Sequence, residues 1–398
     1  MRSNFITIAI VAVLFGLAFG IYDLVLPLWL KINDISYKQM GWIYALSNGV
    51  MVIVPLITGR LSDRSGRRFF YGASLVSCGV ACAVTPLTVS VFGQTILRVL
   101  QRSASGVYES LQSVLLFETD RRQFFSSIRS ARGFELTCHA LGAVIVMAIV
   151  HGPSGQDRLA QPLYVAAGLL AVAFVLVMLR LREPKSDESE PATGPQMSLL
   201  GLSPALLLLA AFNMMFMFGL SISHSQMMVL FFYDKFNLTE HQAAWVSIVH
   251  RLSLGVPLLL AGIWVVRPVK WLFVVSLVLE GVFIAVTVLP TSAVAAVAIW
   301  FIHDPIGAAL WMPINSWYIQ RYARPHRRAA DAAFVLGAAT LGSVFGPLVA
   351  GRLAAYSGNI TFPGISGAID LPFVASGLVV AGSAILVLLL PKVDAESQ

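Results

Sequence analysis

The chain has 398 residues, 57% of them hydrophobic and only 12% charged, with a mean hydropathy of +0.79. A soluble domain carries about 25% charged residues. No soluble core of this size hides so much apolar surface, so the composition excludes a water-soluble fold and makes lipid the main solvent. The formal net charge of +7 comes from Lys and Arg in short turns between apolar runs, which is the positive-inside pattern and not a nucleic-acid-binding surface.

The first apolar run begins at Phe5 and continues past Gly20 through Pro27 to Leu30. It is too long for the core of a cleaved signal peptide and predicts an uncleaved first helix. At about 20 apolar residues per crossing, twelve spans follow in chain order: 5–30, 39–59, 69–88, 91–117, 130–150, 162–181, 203–232, 242–264, 270–290, 293–319, 330–356 and 371–391. The longest polar stretch, Glu183 to Gln196, contains Pro184, Pro191, Gly194 and Pro195 and reads as a flexible linker. The expected organisation is therefore an all-α membrane protein of two six-helix bundles. Residues 1–182 form the first, 183–202 a cytoplasmic linker and 203–398 the second. Cys78, Cys82 and Cys138 all lie inside apolar runs and read as small packing residues, since they lack the partners of a metal or disulfide framework.

Lys and Arg set the orientation. Nineteen of them gather at the side of the termini, against five (Lys31, Lys38, Arg158, Lys235 and Arg352) at the other. Both termini and the linker are expected to be cytoplasmic. A shift of 203 residues aligns Trp29 with Phe232, Asp34 with Asn237, Ser36 with Thr239, Gln39 with Gln242, Trp42 with Trp245 and Gly59 with Gly262. Each half thus repeats an apolar helix, a short polar turn, a Ser or Thr at an N-cap position and an aromatic early in the next helix. Duplicated halves are a transporter signature.

Between the second and third spans lies Gly59-Arg60-Leu61-Ser62-Asp63-Arg64-Ser65-Gly66-Arg67-Arg68. The glycines predict a tight turn. Asp63 is placed to accept hydrogen bonds from a neighbouring helix N-terminus or to pair with an arginine across the halves. Gly59, Asp63, Arg64, Gly66, Arg67 and Arg68 are accordingly the candidate conformational latch, with a plain positive-inside anchor as the alternative. This loop, with the twelve spans and the 6+6 division, resembles the major facilitator superfamily, whose loop signature it matches nearly in full. Arg102-Ser103-Ala104-Ser105-Gly106 on the fourth span resembles the family's second motif, with Ser105 where glutamine is frequent. The turn equivalent to the latch, from Gly262 to Lys270, has no aspartate, and Gly142 is followed by Ala143 where many drug exporters of the family carry Gly-Pro. The resemblance implies rocking of two bundles around a cavity lined by the first, fourth, seventh and tenth spans.

Ionisable groups inside spans cost about 2.5–3.5 kcal/mol each and so face a partner or a cavity. Asp23 is one; Arg98, Arg102 and Glu109 share one face of the fourth span. Asp23 and Arg98 should lie at similar depth, predicting a pair of Asp23 with Arg98 or Arg102 that protonation would open to an anionic substrate. Asp23 aligns with Gln226, so His224, Gln226, His303 and Asp304 are expected to form the opposite wall, with Pro305 distorting the helix beside Asp304. Arg251 is the cavity-facing member of His250-Arg251, and the resemblance implies that the helix carrying Glu280 is peripheral. Trp300, Trp311, Phe216, Phe231 and Phe232 are expected mostly at the lipid surface or its interfaces.

The sequence has no P-loop, metal-ligand cluster or nucleophile-base pair. It predicts a non-enzyme without cofactor: a secondary transporter for a small organic solute, anionic or amphiphilic, driven by a proton gradient. It is expected to act as a monomer in a bacterial inner membrane, with the bilayer and the substrate as its partners and no nucleic acid. A multidrug/proton antiporter and a transporter-like sensor are the alternatives.

Overall fold

The structure, a computed structural model, describes residues 2–119, 124–150, 156–183, 202–224, 226–260, 270–322, 328–358 and 364–391. A few side chains within these ranges, among them Asp63, Arg64 and Gln226, lie outside the described set, as does most of the predicted linker. The elements are α1 (Arg2–Ile32), α2 (Tyr37–Ser65), α3 (Arg67–Val84), α4 (Val91–Thr119), α5 (Phe124–Ile149), α6 (Gln156–Arg180), α7 (Pro204–Ser223), α8 (Gln226–Lys235), α9 (Glu240–Leu260), α10 (Lys270–Val286), α11 (Ala293–His303), α12 (Ala309–Tyr322), α13 (Arg328–Ala354) and α14 (Leu371–Leu388). α7 and α8 together make the seventh crossing. α11 and α12 make the tenth, joined by a π-helical turn over Asp304–Ala308. All twelve expected crossings are therefore present, in order.

Among the described residues, seven stretches are by themselves long and apolar enough to cross a membrane, including Asn4–Ile32 and Pro204–Lys235. α4 is not among them, because it carries Arg98, Arg102 and Glu109. Spanning segments satisfy their own backbone hydrogen bonds, and between them close packing replaces the hydrophobic effect as the adhesive force. Glycines supply that packing. A Cβ on Gly20 would lie 2.2 Å from the His139 carbonyl oxygen, and one on Gly142 would lie 2.4 Å from that of Leu17, so α1 and α5 touch backbone to backbone. In the other half, Gly342 would meet the Met214 oxygen at 2.0 Å, joining α13 to α7 in the same manner.

The internal repeat is visible in the backbone. Asp34 and Asn237, equivalent at the shift of 203, both adopt positive φ (58° and 49°), a conformation that Asn and Asp tolerate best after glycine. The following residues build matching capping boxes: the Ser36 and Thr239 amides each donate to a glutamine side chain, Gln39 and Gln242, at 2.9 Å. Those glutamine amides donate back to the Ser36 and Thr239 hydroxyls at 3.4 and 3.3 Å. The halves meet most extensively through α2 with α13 and α5 with α9. These two seams are equivalents under the repeat, since α2 corresponds to α9 and α5 to α13.

Two expectations are corrected. The stretch Gly59 to Arg68 is not a loop: α2 continues to Ser65, α3 starts at Arg67, and Gly66 alone turns the chain, at φ 95°. Helix formation satisfies backbone groups that a ten-residue loop would leave to solvent. Of the aromatics assigned to the lipid surface, Trp300, Phe216, Phe231 and Phe232 are fully buried and Trp311 nearly so. They pack against one another and Phe373, with Phe216 on Trp311 at 4.3 Å and Phe231 on Phe373 at 4.2 Å between ring centroids. Gly142→Val is expected to force α1 and α5 apart and to cost about 1–3 kcal/mol or more, read as a lower thermal unfolding midpoint of the detergent-solubilised protein.

Candidate functional site

Three of the predicted ionisable residues converge where the two halves meet. Arg251 of α9 donates to Asp23 Oδ2 at 2.5 Å, and Arg98 Nη2 of α4 stands 3.9 Å from Asp23 Oδ1. One carboxylate on α1 thus faces two guanidiniums, one from each half. Arg98 is buried, donates to Gln101 Oε1 at 2.8 Å and lies over the ring of Tyr44 at 4.6 Å and of Tyr22 at 5.7 Å. These aromatic faces stabilise the cation where Asp23 alone does not. The sequence expectation of a pair with Arg98 holds, but the closer partner is Arg251, and Arg102 is not in the pair. Arg102 instead donates to Asn48 Oδ1 at 3.3 Å, and Asn48 donates to the Ser343 carbonyl of the opposite half at 3.0 Å. Glu109, two turns along α4, lies within electrostatic range of Arg102. Tyr108 between them is buried and stacks on Phe15 at 3.7 Å.

His224, His303 and Asp304 lie close together, with His303 and Asp304 buried and His224 half-buried. They gather inside the C-terminal half with His250, which sequence reasoning set aside. Asp304 is 3.0 Å from His250 Nδ1 and 3.4 Å from His303 Nε2, and Ser253 donates to its second oxygen. The His224 ring lies 5.6 Å from both other imidazoles, and Trp300 closes the group from one side. Adjacent residues on a helix point about 100° apart, so His250 faces this interior group while Arg251 crosses to the other half. Glu280 is buried on α10 against the π-helical turn, where a Cβ on Gly307 would lie 2.8 Å from its Oε2. The Gln226 side chain lies outside the described residues.

At the end of the bundle opposite the termini, Lys31 of α1 pairs with Asp234 of α8 at 3.2 Å, and Tyr37 donates to the same carboxylate. Lys31 and Asp234 are equivalent at the shift of 203, a relation the sequence alignment contained. This end is therefore held together across the halves. At the other end, the amides of Arg67 and Arg68, freed at the start of α3, donate to Glu183 at 2.6 and 3.1 Å. The Arg68 guanidinium donates to the Met178 carbonyl. The anion at this helix N-terminus is Glu183, from beyond α6 in the same half. Gly59 and the side chains of Asp63 and Arg64 lie outside the described residues.

The chain matches the sequence profile of the Major Facilitator Superfamily over residues 8–234 and 212–398, and it belongs to that family of membrane transporters. It is a multi-pass membrane transporter and not an enzyme. Its fold is similar to a nucleoside transporter, NupG, as a D323A mutant, at TM-score 0.78 and 14% identity, covering 98% of this chain and 100% of that one. It is also similar to the inward-open xylose transporter XylE from E. coli (TM-score 0.76, 14% identity, 98% of each chain). A third similar structure is a bacterial homologue of the human lysosomal transporter Spinster, inward-facing and unoccupied (TM-score 0.74, 12% identity, 97% and 94%). No curated protein matches the chain by sequence.

Asp23 and Arg251 are part-buried and Arg98 is buried, so removing the carboxylate leaves both guanidinium charges uncompensated. Asp23→Ala is expected to lower stability by about 3–5 kcal/mol. Adding Arg251→Gln should restore part of that loss, and a double-mutant cycle on thermal unfolding measures the coupling.

Proposed function

We propose that this transporter moves a small anionic or amphiphilic organic solute in exchange for, or together with, protons, with Asp23 as the coupling group. The observation that carries this reading is the single Asp23 carboxylate between Arg98 and Arg251. The charged and titratable groups around it are Arg98 and Arg102 of α4, Arg251 of α9 and Tyr44 of α2. Protonating Asp23 removes the only acid in contact with these two guanidiniums among the described pairs. An anionic substrate group then takes its place, with the bidentate geometry that guanidinium offers carboxylate and phosphate. Loss of the proton expels the substrate by returning the competing carboxylate.

Alternating access follows from where the pair sits. The Asp23–Arg251 bond joins the two halves, so its opening weakens the seam that one rocking motion must release. The Lys31–Asp234 pair and Tyr37 hold the end opposite the termini, and the positive-inside count supports placing that end outside the cell and both termini in the cytoplasm. The arrangement then corresponds to an exterior-closed state. The proton gradient supplies the energy, with no cofactor, and a bacterial inner membrane fits this orientation. Arg102 and Glu109 line the route on α4, and the chain acts as a monomer. The nucleoside and xylose named for the similar structures support a small polar solute as the size class.

The test uses the full chain in liposomes with a panel of small organic anions, neutral solutes and hydrophobic cations. A pH gradient is expected to drive accumulation of an anion. Asp23→Asn should abolish gradient-driven accumulation while substrate exchange at zero gradient persists. Unchanged proton coupling in Asp23→Asn would overturn the assignment. Accumulation restricted to hydrophobic cations would point to a multidrug antiporter, and absence of flux across the panel to a sensor.

A further inference from the structure

The proton cycle above makes no use of a group of metal-type donors found among the described residues. His250 on α9, His303 at the end of α11 and Asp304 at the start of the π-helical turn are all buried, and their donor atoms lie within 4.8 Å of one another. Three features of this group suit a bound cation. First, His303 Nδ1 lies against the Trp300 carbonyl. A carbonyl only accepts, so that nitrogen carries the ring proton and Nε2 presents a lone pair. Nε2 faces Asp304 Oδ1 at 3.4 Å and has no hydrogen-bond partner. Two acceptors therefore confront each other in a dry interior. Second, His250 Nδ1 approaches Asp304 Oδ2 to 3.0 Å, so that the one carboxylate faces two imidazoles. Third, buried Glu280 adds a second acid beside the turn. Unpaired charge at such depth is costly.

We infer that His250, His303 and Asp304 form a binding site for a divalent first-row transition metal ion of the zinc type, buried inside the C-terminal half and separate from the Asp23 pair. Two imidazoles and one carboxylate are a nitrogen-oxygen set suited to Zn²⁺, Co²⁺ or Ni²⁺, and unsuited to Mg²⁺ or Ca²⁺, which require oxygen ligands. Bonds of about 2.0–2.2 Å place tetrahedral donors about 3.3 Å apart, so the cluster closes by about 1.5 Å at its widest on binding. The outer contacts of a ligand set are already built. The Trp300 carbonyl fixes the His303 tautomer, and the Ser253 hydroxyl donates to Asp304. His224 brings a further imidazole to the rim, its Nδ1 donating to the Leu220 carbonyl at 3.1 Å so that Nε2 is the free nitrogen. The ion would join α9 to the π-helical turn and so fix the turn of α9 from which Arg251 reaches Asp23.

The experiment uses tag-free, full-length protein in detergent, stripped with chelator and then loaded with Zn²⁺ or Co²⁺ alone. The wild type is expected to retain about one equivalent of metal through desalting. Its Co²⁺ form should show the visible absorption of a low-coordinate nitrogen-oxygen site. His303→Gln and Asp304→Asn should each weaken binding at least ten-fold and lose that band, while both variants remain monodisperse on gel filtration. If the wild type retains no metal, the cluster holds a proton and the inference fails, whatever the variants do. Retention of the same equivalent with the same spectrum in both folded variants also overturns it, because the metal is then bound elsewhere.

Discussion

Everything in this molecule turns on one carboxylate facing two guanidiniums at the seam between its halves. In a lipid-surrounded interior a lone arginine is costly, and Arg98 and Arg251 come from different six-helix bundles. Asp23 can compensate both only while the bundles are apposed. The bond from Arg251 at 2.5 Å and the longer approach of Arg98 at 3.9 Å show that the sharing is unequal. The aromatic faces of Tyr44 and Tyr22 take up what Asp23 leaves to Arg98. The charge at the seam is thus held by contacts that belong to both halves at once.

The glycine contacts give that seam its sharpness. α1 touches α5, and α7 touches α13, backbone to backbone at Gly20, Gly142 and Gly342. The seam between the halves carries the same kind of contact: a Cβ on Gly41 of α2 would lie 2.6 Å from the Pro347 carbonyl oxygen of α13, and one on Gly351 of α13 would lie 2.4 Å from that of Tyr37. Packed interiors that cannot deform continuously move as units.

What the sequence made legible follows from physics that is local. Twelve apolar runs define the crossings because each helix satisfies its own backbone, and the polar turn shared by Asp34 and Asn237 is set by a few adjacent residues. The Asp23–Arg98 pair was readable from depth counted along two helices. Arg251 as the closer partner was not, because only the docking of α9 against the other half brings it there. His250 was set aside since neighbouring residues point in different directions and pattern alone does not say which direction faces charge. The burial of Trp300 and Phe231 was hidden for the same reason: in lipid, both sides of a helix are apolar, so periodicity no longer separates inside from outside. The basic segment after Gly59 read as a loop because glycine and charge punctuate soluble chains. In this bundle α2 continues for a further turn and a half before Gly66 bends it.

The pair of Lys31 with Asp234 joins two positions that the repeat makes equivalent. Were two N-terminal bundles from different molecules to dock as the two halves do, Lys31 would meet a second Lys31; two C-terminal bundles would bring Asp234 against itself. Either mismatch places like charges where the native pairing has opposite ones. The repeat that makes the halves similar enough to form one transporter thus carries, at its own symmetry-related position, a mark that tells each half which partner is its own.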